Sequence, residues 1–489
     1  MSMGFDDTQR TLAAGTDQHP SGYDWTAVAT GPHHGEVTTY SAVRTTGIYC
    51  RPGCGAKPLA ENVETFELPA AAEAAGYRAC LRCRPYRVAG TVADEAPELV
   101  CRAVQLIITG VLDDADETAL AARLGLSARH LRRMFNDHLG VTPDQFARSR
   151  RAHFARRLLD DSDLTIADIA FASGFGSLRQ FNRAMREIFR STPRELRDRR
   201  RRTDRLAADG GLVLRMPYTP PYDWTAMLTF LAAHAIPGVE SVIDGVYRRT
   251  IALDGDPGLL EITAGGTDHL LLRAHLPYWE GVIHVVERAG HLVGLETEPV
   301  LATAQLSGDP VIGPLIEARP GLRVPGAWGP FEVAVAAIVR DQLPSGSPAE
   351  ESAAGSGGGT RGSCCTPAGE LLARLVDAVG APVAGLGHGL THAFPSAETL
   401  ATRYDQPGRV SDTLRALAAE VATGNIKLDG GETLETLVPS LTRIDGISDS
   451  AAHHIALRLG ARDAFPGEPA TDSEAWRPWR ALAYLHLSQ

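Results

Sequence analysis

The sequence predicts a multidomain α+β fold in four parts: a small four-cysteine domain, an all-α segment of two helix-turn-helix units, a small antiparallel-sheet α+β domain and a final all-α region. Three observations lead there. Four of the seven cysteines stand in two tight pairs, Cys50/Cys54 and Cys80/Cys83. Residues 97–200 keep apolar side chains at i, i+3 and i+4 with no strand alternation, and from Gly211 strand-like and helical patterns mix before helices take over. A chain of 489 residues also exceeds what one hydrophobic core serves.

Composition narrows the class of chain. With 44% hydrophobic and 22% charged residues and no apolar run near the ~20 residues of a membrane span, a soluble chain with no membrane partner is expected. The first residues carry no signal-peptide pattern, so the expected location is cytoplasmic, where thiols stay reduced. The net charge of −11 hides an asymmetry: residues 1–205 hold 29 Lys+Arg against 26 Asp+Glu, whereas residues 206–489 hold 19 against 33. Nucleic-acid contact therefore belongs at the front. The expected boundaries are a disordered tail at 1–20, the cysteine domain at 21–90, the helix-turn-helix segment at 97–200, the sheet domain at 211–300, and the final region at 301–489 with a Gly/Ser-rich insertion at 344–366.

Taken in order, the polar tail gives way to Tyr23–Val28 and then to an alternating run, Glu36 to Val43, that reads as a strand delivering the first cysteine pair. Pro69 to Gly76 reads as a short Ala-rich helix between the pairs. Two short pairs on turns place four sulfurs at close to tetrahedral separation, so the expected cofactor is one zinc ion held by Cys50, Cys54, Cys80 and Cys83; two disulfides are the alternative. Arg44, Arg51, Lys57, Arg78, Arg82, Arg84 and Arg87 surround this site, more cation than a structural knuckle needs. Guanidinium groups keep a thiolate ionised and attract an anionic substrate.

The run Ala42-Val43-Arg44-Thr45-Thr46-Gly47-Ile48-Tyr49-Cys50-Arg51-Pro52-Gly53-Cys54, with Glu61-Asn62-Val63 and Ala75-Gly76-Tyr77-Arg78-Ala79-Cys80-Leu81-Arg82-Cys83-Arg84-Pro85, resembles the N-terminal zinc domain of Ada-type methylphosphotriester repair proteins. The resemblance implies that Cys50 is both a zinc ligand and the acceptor of a methyl group from a methylated DNA phosphate, in a single irreversible turnover. It also implies DNA contacts by Arg44, Thr45, Thr46, Arg51 and Lys57. The chemistry is sound, because a phosphodiester anion leaves readily and a zinc-bound thiolate stays ionised at neutral pH.

Within residues 97–200, Thr118 to Ser127 and Ile166 to Ser177 share one pattern: a short helix, a glycine-containing turn, and a serine placed to cap a second helix. The second helices offer Arg129, Arg132 and Arg133 in one unit and Arg179, Gln180, Asn182 and Arg183 in the other. Joined by a helix around Phe146 to Leu159 and closed by Thr192-Pro193-Arg194-Glu195-Leu196, the segment resembles the AraC-type transcription-factor domain. That implies two recognition helices entering successive major-groove faces, with Arg, Gln and Asn reading base edges. Arg199 to Arg202 follows as a basic linker able to touch phosphates.

Beyond Gly211, strands are expected at Val213–Tyr218, Tyr247–Leu253, Leu259–Thr263 and His269–Leu276, with helices at Trp224–His234, Gly281–Val286, Asp309–Ala318 and Phe331–Val339. Tyr222-Asp223-Trp224, Ile236-Pro237-Gly238-Val239-Glu240, Gly245 to Thr250, Arg323 to Trp328 and Trp476 to Leu487 resemble the AlkA-type alkylbase DNA glycosylases. The resemblance implies a sheet domain followed by a helix-hairpin-helix domain, in which an alkylated purine is flipped out and one aspartate supports glycosidic cleavage. The hairpin here reads Ile444-Asp445-Gly446-Ile447-Ser448-Asp449-Ser450: Ser448 stands for a glycine, Ser450 for a pocket tryptophan, and Asp445 and Asp449 put negative charge at a DNA-backbone contact. Asp472, in a segment shortened between Pro466 and Trp476, is the candidate glycosylase aspartate. Cys364 and Cys365 in the insertion read as incidental.

The combined expectation is a DNA alkylation-damage response protein. Cys50 takes a methyl group, the zinc site loses one negative charge, and promoter binding tightens; the partners are methylated and promoter DNA and RNA polymerase, and the state is monomeric. An active DNA-3-methyladenine glycosylase II and a plain zinc-containing transcription factor are the alternatives. No Pro-Cys-His-Arg acceptor is present, so O6-alkylguanine repair is not expected.

Overall fold

The computed structural model describes residues 39–51, 54, 58–87, 97–201, 204–206, 211–295, 299–343, 366–467 and 473–488. The tail at 1–20, Tyr23–Val28, Lys57, Cys364, Cys365 and Asp472 lie outside them.

The cysteine domain is a four-stranded sheet. Strand β1 (Tyr40–Val43) turns through Arg44–Gly47 into β2 (Ile48–Cys50), and β3 (Val63–Phe66) pairs on the other edge of β1. Helix α1 (Pro69–Ala74) then leads to β4 (Arg78–Ala79), which lies parallel to β2 and completes the order β3-β1-β2-β4. The expected strand from Glu36 is described only from Tyr40 onwards. Strands β3 and β4 carry no legible signal in the sequence, because β4 is two residues long and exists only through its pairing with β2.

Residues 97–201 are helical as expected: α2 (Glu98–Ile108), α3 (Val111–Asp114), α4 (Glu117–Arg123), α5 (Ala128–Leu139), α6 (Pro143–Asp161), α7 (Ile166–Ala172), α8 (Leu178–Phe189) and α9 (Pro193–Asp198). The two helix-turn-helix units are α4–α5 and α7–α8. Each turn needs a left-handed residue, supplied by Gly125 (φ 70°) and Gly174 (φ 76°), where a side chain would be strained. Ser127 and Ser177 cap the second helices, accepting from the His130 and Gln180 amides at 3.3 and 3.2 Å. Leu120, Leu131 and Phe135 fill one core, and Ile169, Phe181 and Met185 the other.

The next part is a five-stranded antiparallel sheet of order β5-β9-β8-β7-β6, made of β5 (Leu212–Pro217), β6 (Glu240–Ile243), β7 (Val246–Leu253), β8 (Asp256–Ala264) and β9 (His269–His275), with α10 (Trp224–Ala233) between β5 and β6. Leu260, Ile262, Leu270, Leu272 and Ala274 alternate into the core as the period-2 pattern requires. The edge strand β6 was not expected; its residues become a strand through their ladder with β7.

The C-terminal helices are α11 (Val282–Leu292), α12 (Pro299–Leu306), α13 (Ile312–Ala318), α14 (Pro330–Gln342), α15 (Pro367–Val379), α16 (Ala397–Arg403), α17 (Arg409–Ala422), α18 (Leu434–Thr442), α19 (Asp449–Arg458) and α20 (Arg480–Leu487). Helix α11 runs six residues past its expected end at Val286, and α13 starts three later than expected. Asp309 is the reason for the second difference: its carboxylate accepts from the Val311 and Ile312 amides at 2.8 and 2.9 Å, so it caps the turn instead of joining it. A two-residue ladder, β10 (Ala381–Pro382) with β11 (His392–Ala393), departs from the all-α expectation for this part. No helix among the described residues is long and apolar enough to cross a membrane.

Candidate metal centre and nucleic-acid interface

The parallel register of β2 on β4 assembles the metal centre. Ile48 lies beside Arg78 and Tyr49 beside Ala79, so the next residues, Cys50 and Cys80, emerge together, and the Cys80 amide donates to the Tyr49 carbonyl at 3.0 Å. Cys54 follows on a turn whose amide donates to the Arg51 carbonyl at 3.3 Å, and Cys83 precedes Arg84, whose amide donates to the Cys80 carbonyl at 3.0 Å. All four ligand sulfurs lie within 4.8 Å of one another, and none forms a disulfide. A tetrahedral zinc site with ~2.3 Å Zn–S bonds has sulfur–sulfur edges of roughly 3.8 Å, so the set fits a four-cysteine zinc ion. Hydrogen bonds with Cys80 and Cys83 push the Cys50 thiol far up, and hydrogen bonds from Cys50 and Cys83 hold Cys80 far down. The sulfurs therefore share their protons as one set, and a zinc dication would offset two of the four thiolate charges. The protein binds zinc through these four cysteines.

The cations around the centre divide into two groups. Arg84, in the left-handed region (φ 51°), turns away to Asp204 at 2.8 Å and Asp160 at 3.6 Å, and the Arg44 guanidinium donates to the Glu61 carbonyl. Arg82 is exposed and Arg51 half-buried. Arg44, Thr45 and Thr46 form the exposed turn at the opposite end of β2 from Cys50, a separation of about 10 Å at ~3.3 Å per residue. Cys50 is the most enclosed ligand, with 7% of its surface exposed.

On α5, Arg129, Arg132 and Arg133 are exposed; Arg132 also meets Glu117, and Arg133 lies 3.3 Å from His130. On α8, Arg179, Gln180 and Arg183 are exposed, with Arg183 paired to Glu187 at 2.8 Å. Asn182 is half-buried, and its amide nitrogen donates to the Leu178 carbonyl on its own helix at 2.8 Å.

Sequence reasoning missed a second set of groups that ties the cysteine domain to the helical one. The Tyr49 hydroxyl donates to Glu73 Oε1 at 2.7 Å, and His153 Nε2, from the middle of α6, reaches the same oxygen at 2.6 Å. Asp160, also on α6, accepts from the Tyr86 hydroxyl at 3.2 Å and from Arg156 at 2.5 Å. No local pattern marks the links of His153 and Asp160 to the cysteine domain, since Glu73, Tyr49 and Tyr86 are each more than seventy residues away in sequence.

In the C-terminal half the hairpin between α18 and α19 forms, with Gly446 left-handed (φ 91°) and Ser448 capping α19 by accepting from the Ala451 amide at 3.0 Å. Ser450 donates to the Pro466 carbonyl at 2.7 Å. The carboxylates of Asp445 and Asp449 are 95% and 78% exposed on the hairpin. Trp476 and Trp479 are buried anchors, donating to Asp309 at 2.8 Å and Gln305 at 3.0 Å. A cavity of about 20 Å³, room for one water, lies between α10, α14 and α19 and is lined by His234, Glu332, Arg340, His454 and Arg458. Burial first, then Arg458 and Arg340, push the His454 imidazole down to about 3; burial and Arg340 also hold His234 well below its ordinary value.

Comparison with known proteins agrees part by part. Residues 24–86 match the metal binding domain of Ada, residues 120–199 a helix-turn-helix domain, and residues 213–329 the AlkA N-terminal domain. The chain is 34% identical over 476 residues to the "Probable bifunctional transcriptional activator/DNA repair enzyme AlkA" of Mycobacterium tuberculosis, covering 91% of each chain. It is 28% identical to DNA-3-methyladenine glycosylase 2 of Escherichia coli over 55% of this chain and 94% of that one, and 31% identical to the bifunctional transcriptional activator/DNA repair enzyme Ada of the same organism over 35% and 48%. Fold and site together define a zinc-containing, DNA-binding regulator joined to a DNA-repair module. The chain belongs to the family of bifunctional transcriptional activators and DNA repair enzymes in which Ada-type and AlkA-type parts are fused.

Proposed function

We propose that Cys50 accepts a methyl group from a methylphosphotriester in DNA and that this change raises affinity for promoter DNA. The observation that carries the proposal is the position of Cys50: it ends a strand registered on both sides, against Ser41 of β1 and beside β4, whereas Cys54, Cys80 and Cys83 lie outside the strands. A sulfur fixed in this way keeps its line of attack. Bound zinc would keep the four sulfurs ionised at neutral pH. The Cys50 sulfur forms a bond to the methyl carbon as the methyl–oxygen bond breaks, and that bond's electron pair leaves with the phosphodiester anion. No proton is required, and the thioether product is stable, so one protein molecule acts once.

The thiolate's charge disappears in the step. One unit charge removed at ~6 Å from a phosphate, at an effective dielectric of ~20, changes the interaction by about 3 kcal/mol before salt screening, enough for a tenfold or larger gain in affinity. Exposed Arg129, Arg132, Arg133, Arg179, Gln180 and Arg183 are the proposed DNA contacts of the helix-turn-helix units, with Arg44, Thr45, Thr46 and Arg51 at the cysteine domain. RNA polymerase is the proposed partner of the promoter-bound monomer. Incubation with methylated DNA followed by peptide mass spectrometry is expected to place one methyl group on Cys50 and none on Cys50→Ser; a methyl group elsewhere, or none, overturns the proposal.

For the C-terminal half we propose a DNA-binding repair module with weak base excision. The exposed Asp445 and Asp449 repel the duplex where the hairpin would meet its backbone. Asp472 is the proposed aspartate, and any release of 3-methyladenine from methylated DNA is expected to be slow and to vanish in Asp472→Asn.

A further inference from the structure

We propose that Tyr49, Glu73 and His153 form a positioning bridge that carries the methylation state of Cys50 to the second recognition helix. The proposal rests on the assignment of Cys50 as the acceptor. Cys50 is almost fully enclosed, so an added methyl group needs room that the end of β2 must provide by moving. Tyr49, the preceding residue, is fully buried and packs edge-on against Tyr40 at 6.1 Å, so its ring follows the strand.

The Tyr49 hydroxyl and His153 Nε2 converge on one oxygen of Glu73, at 2.7 and 2.6 Å, and stand 3.2 Å from each other. The other oxygen, Glu73 Oε2, is buried without a hydrogen-bond partner among the described residues. Both contacts fall on one carboxylate oxygen while the other takes none. The same carboxylate therefore offers a second arrangement in which one donor moves across, and a two-state element of this kind is what coupling between sites requires.

His153 sits on α6, the helix joining the two helix-turn-helix units, and its ring packs against Phe189 at 5.7 Å and Tyr86 at 6.3 Å. Phe189 is the last residue of α8, the second recognition helix. The next residue, Arg190, donates to the Gly76 carbonyl at 3.4 Å, in the turn that leads to Cys80. The end of α8 thus touches the cysteine domain at two points, one through the bridge and one at the turn before β4. A shift at β2 reaches α8 through side chains in direct contact.

The test uses the full-length zinc protein and three variants. Tyr49→Phe removes only the hydroxyl, His153→Ala removes the ring, and His153→Gln keeps a donor near the Nε2 position. Zinc content, methyl uptake from methylated DNA, and promoter affinity before and after methylation are measured for each. All three variants are expected to keep zinc, methyl uptake and unmethylated affinity. The gain on methylation is expected to be about threefold or more smaller than in wild type in Tyr49→Phe and His153→Ala, the part due to the lost charge remaining, and to survive largely in His153→Gln. A full gain in both Tyr49→Phe and His153→Ala overturns the bridge, as does a loss of unmethylated affinity equal to the loss of gain, which marks a merely structural role. Absence of methyl uptake by wild type overturns the Cys50 assignment itself, and the bridge with it.

Discussion

His454 and His234 show how strongly position sets a side chain's chemistry. Both imidazoles are buried beside guanidinium groups and stay neutral in the fold, with His454 down at about 3. In the unfolded chain each titrates near 6.5, so as the pH falls below that value the unfolded state binds protons that the folded state refuses. Stability is complete above about pH 6.5 and is lost as the pH drops towards 3, at up to about 1.4 kcal/mol per pH unit for each group. Denaturant titrations between pH 7.5 and 5 should show this slope, and His454→Phe should remove up to half of it; an unchanged slope contradicts the assignment. Arg84 makes a second residue-scale case. Its side chain is 11% exposed and serves Asp160 and Asp204, so Arg84→Ala is predicted to destabilise by about 3 kcal/mol, read as a lowered denaturation midpoint at unchanged slope.

At the scale of elements, the helices were legible because their signals are local. The serines at 127 and 177, the apolar spacing and the turn glycines lie within a few residues of what they specify, and both helix-turn-helix units stand where these signals put them. Ser127→Ala and Ser177→Ala should each cost about 1 kcal/mol, with melting temperature lowered and the second helices frayed in hydrogen exchange. The short strands were legible only in part. The two residues of β4 and the four of β6 become strands through partners elsewhere in the chain, and no window of local sequence holds that information. The four cysteines were readable as a set because metal binding imposes spacing within each pair. Tyr49, Glu73 and His153 were not, since a tertiary contact imposes none. At the hairpin, the exposed Asp445 and Asp449 give a prediction of opposite sign to most substitutions: Asp445→Asn and Asp449→Asn should each tighten binding to unmethylated duplex about threefold at low salt, the gain expected for one charge ~8 Å from a phosphate in a solvent-like dielectric of ~60. A fluorescence anisotropy titration showing weaker binding would contradict it.

Across the whole molecule, the helix-turn-helix segment serves as a hub between the cysteine domain and the C-terminal half. It meets the sheet domain through Arg150–Glu287 at 2.7 Å, Arg215–Asp161 at 2.8 Å and the Arg151–Asp113–His284 cluster, and the hairpin domain through Arg123–Asp429. Removal of the metal should therefore be felt beyond residues 39–87. Structural zinc contributes on the order of 10 kcal/mol to small modules, so a strong chelator is predicted to unfold the cysteine domain and to loosen α6, which packs against it. Hydrogen exchange resolved by peptide would show protection lost in both places; loss confined to the cysteine domain would mean that the hub does not depend on it. The most direct test of the central claim is the promoter affinity of the wild-type protein measured before and after exposure to methylphosphotriester DNA, with the methyl group mapped by mass spectrometry in the same sample. One methyl group on Cys50 and an affinity about tenfold higher is the predicted result. An unmodified Cys50, or a Cys50 methylated with no change in affinity, contradicts it.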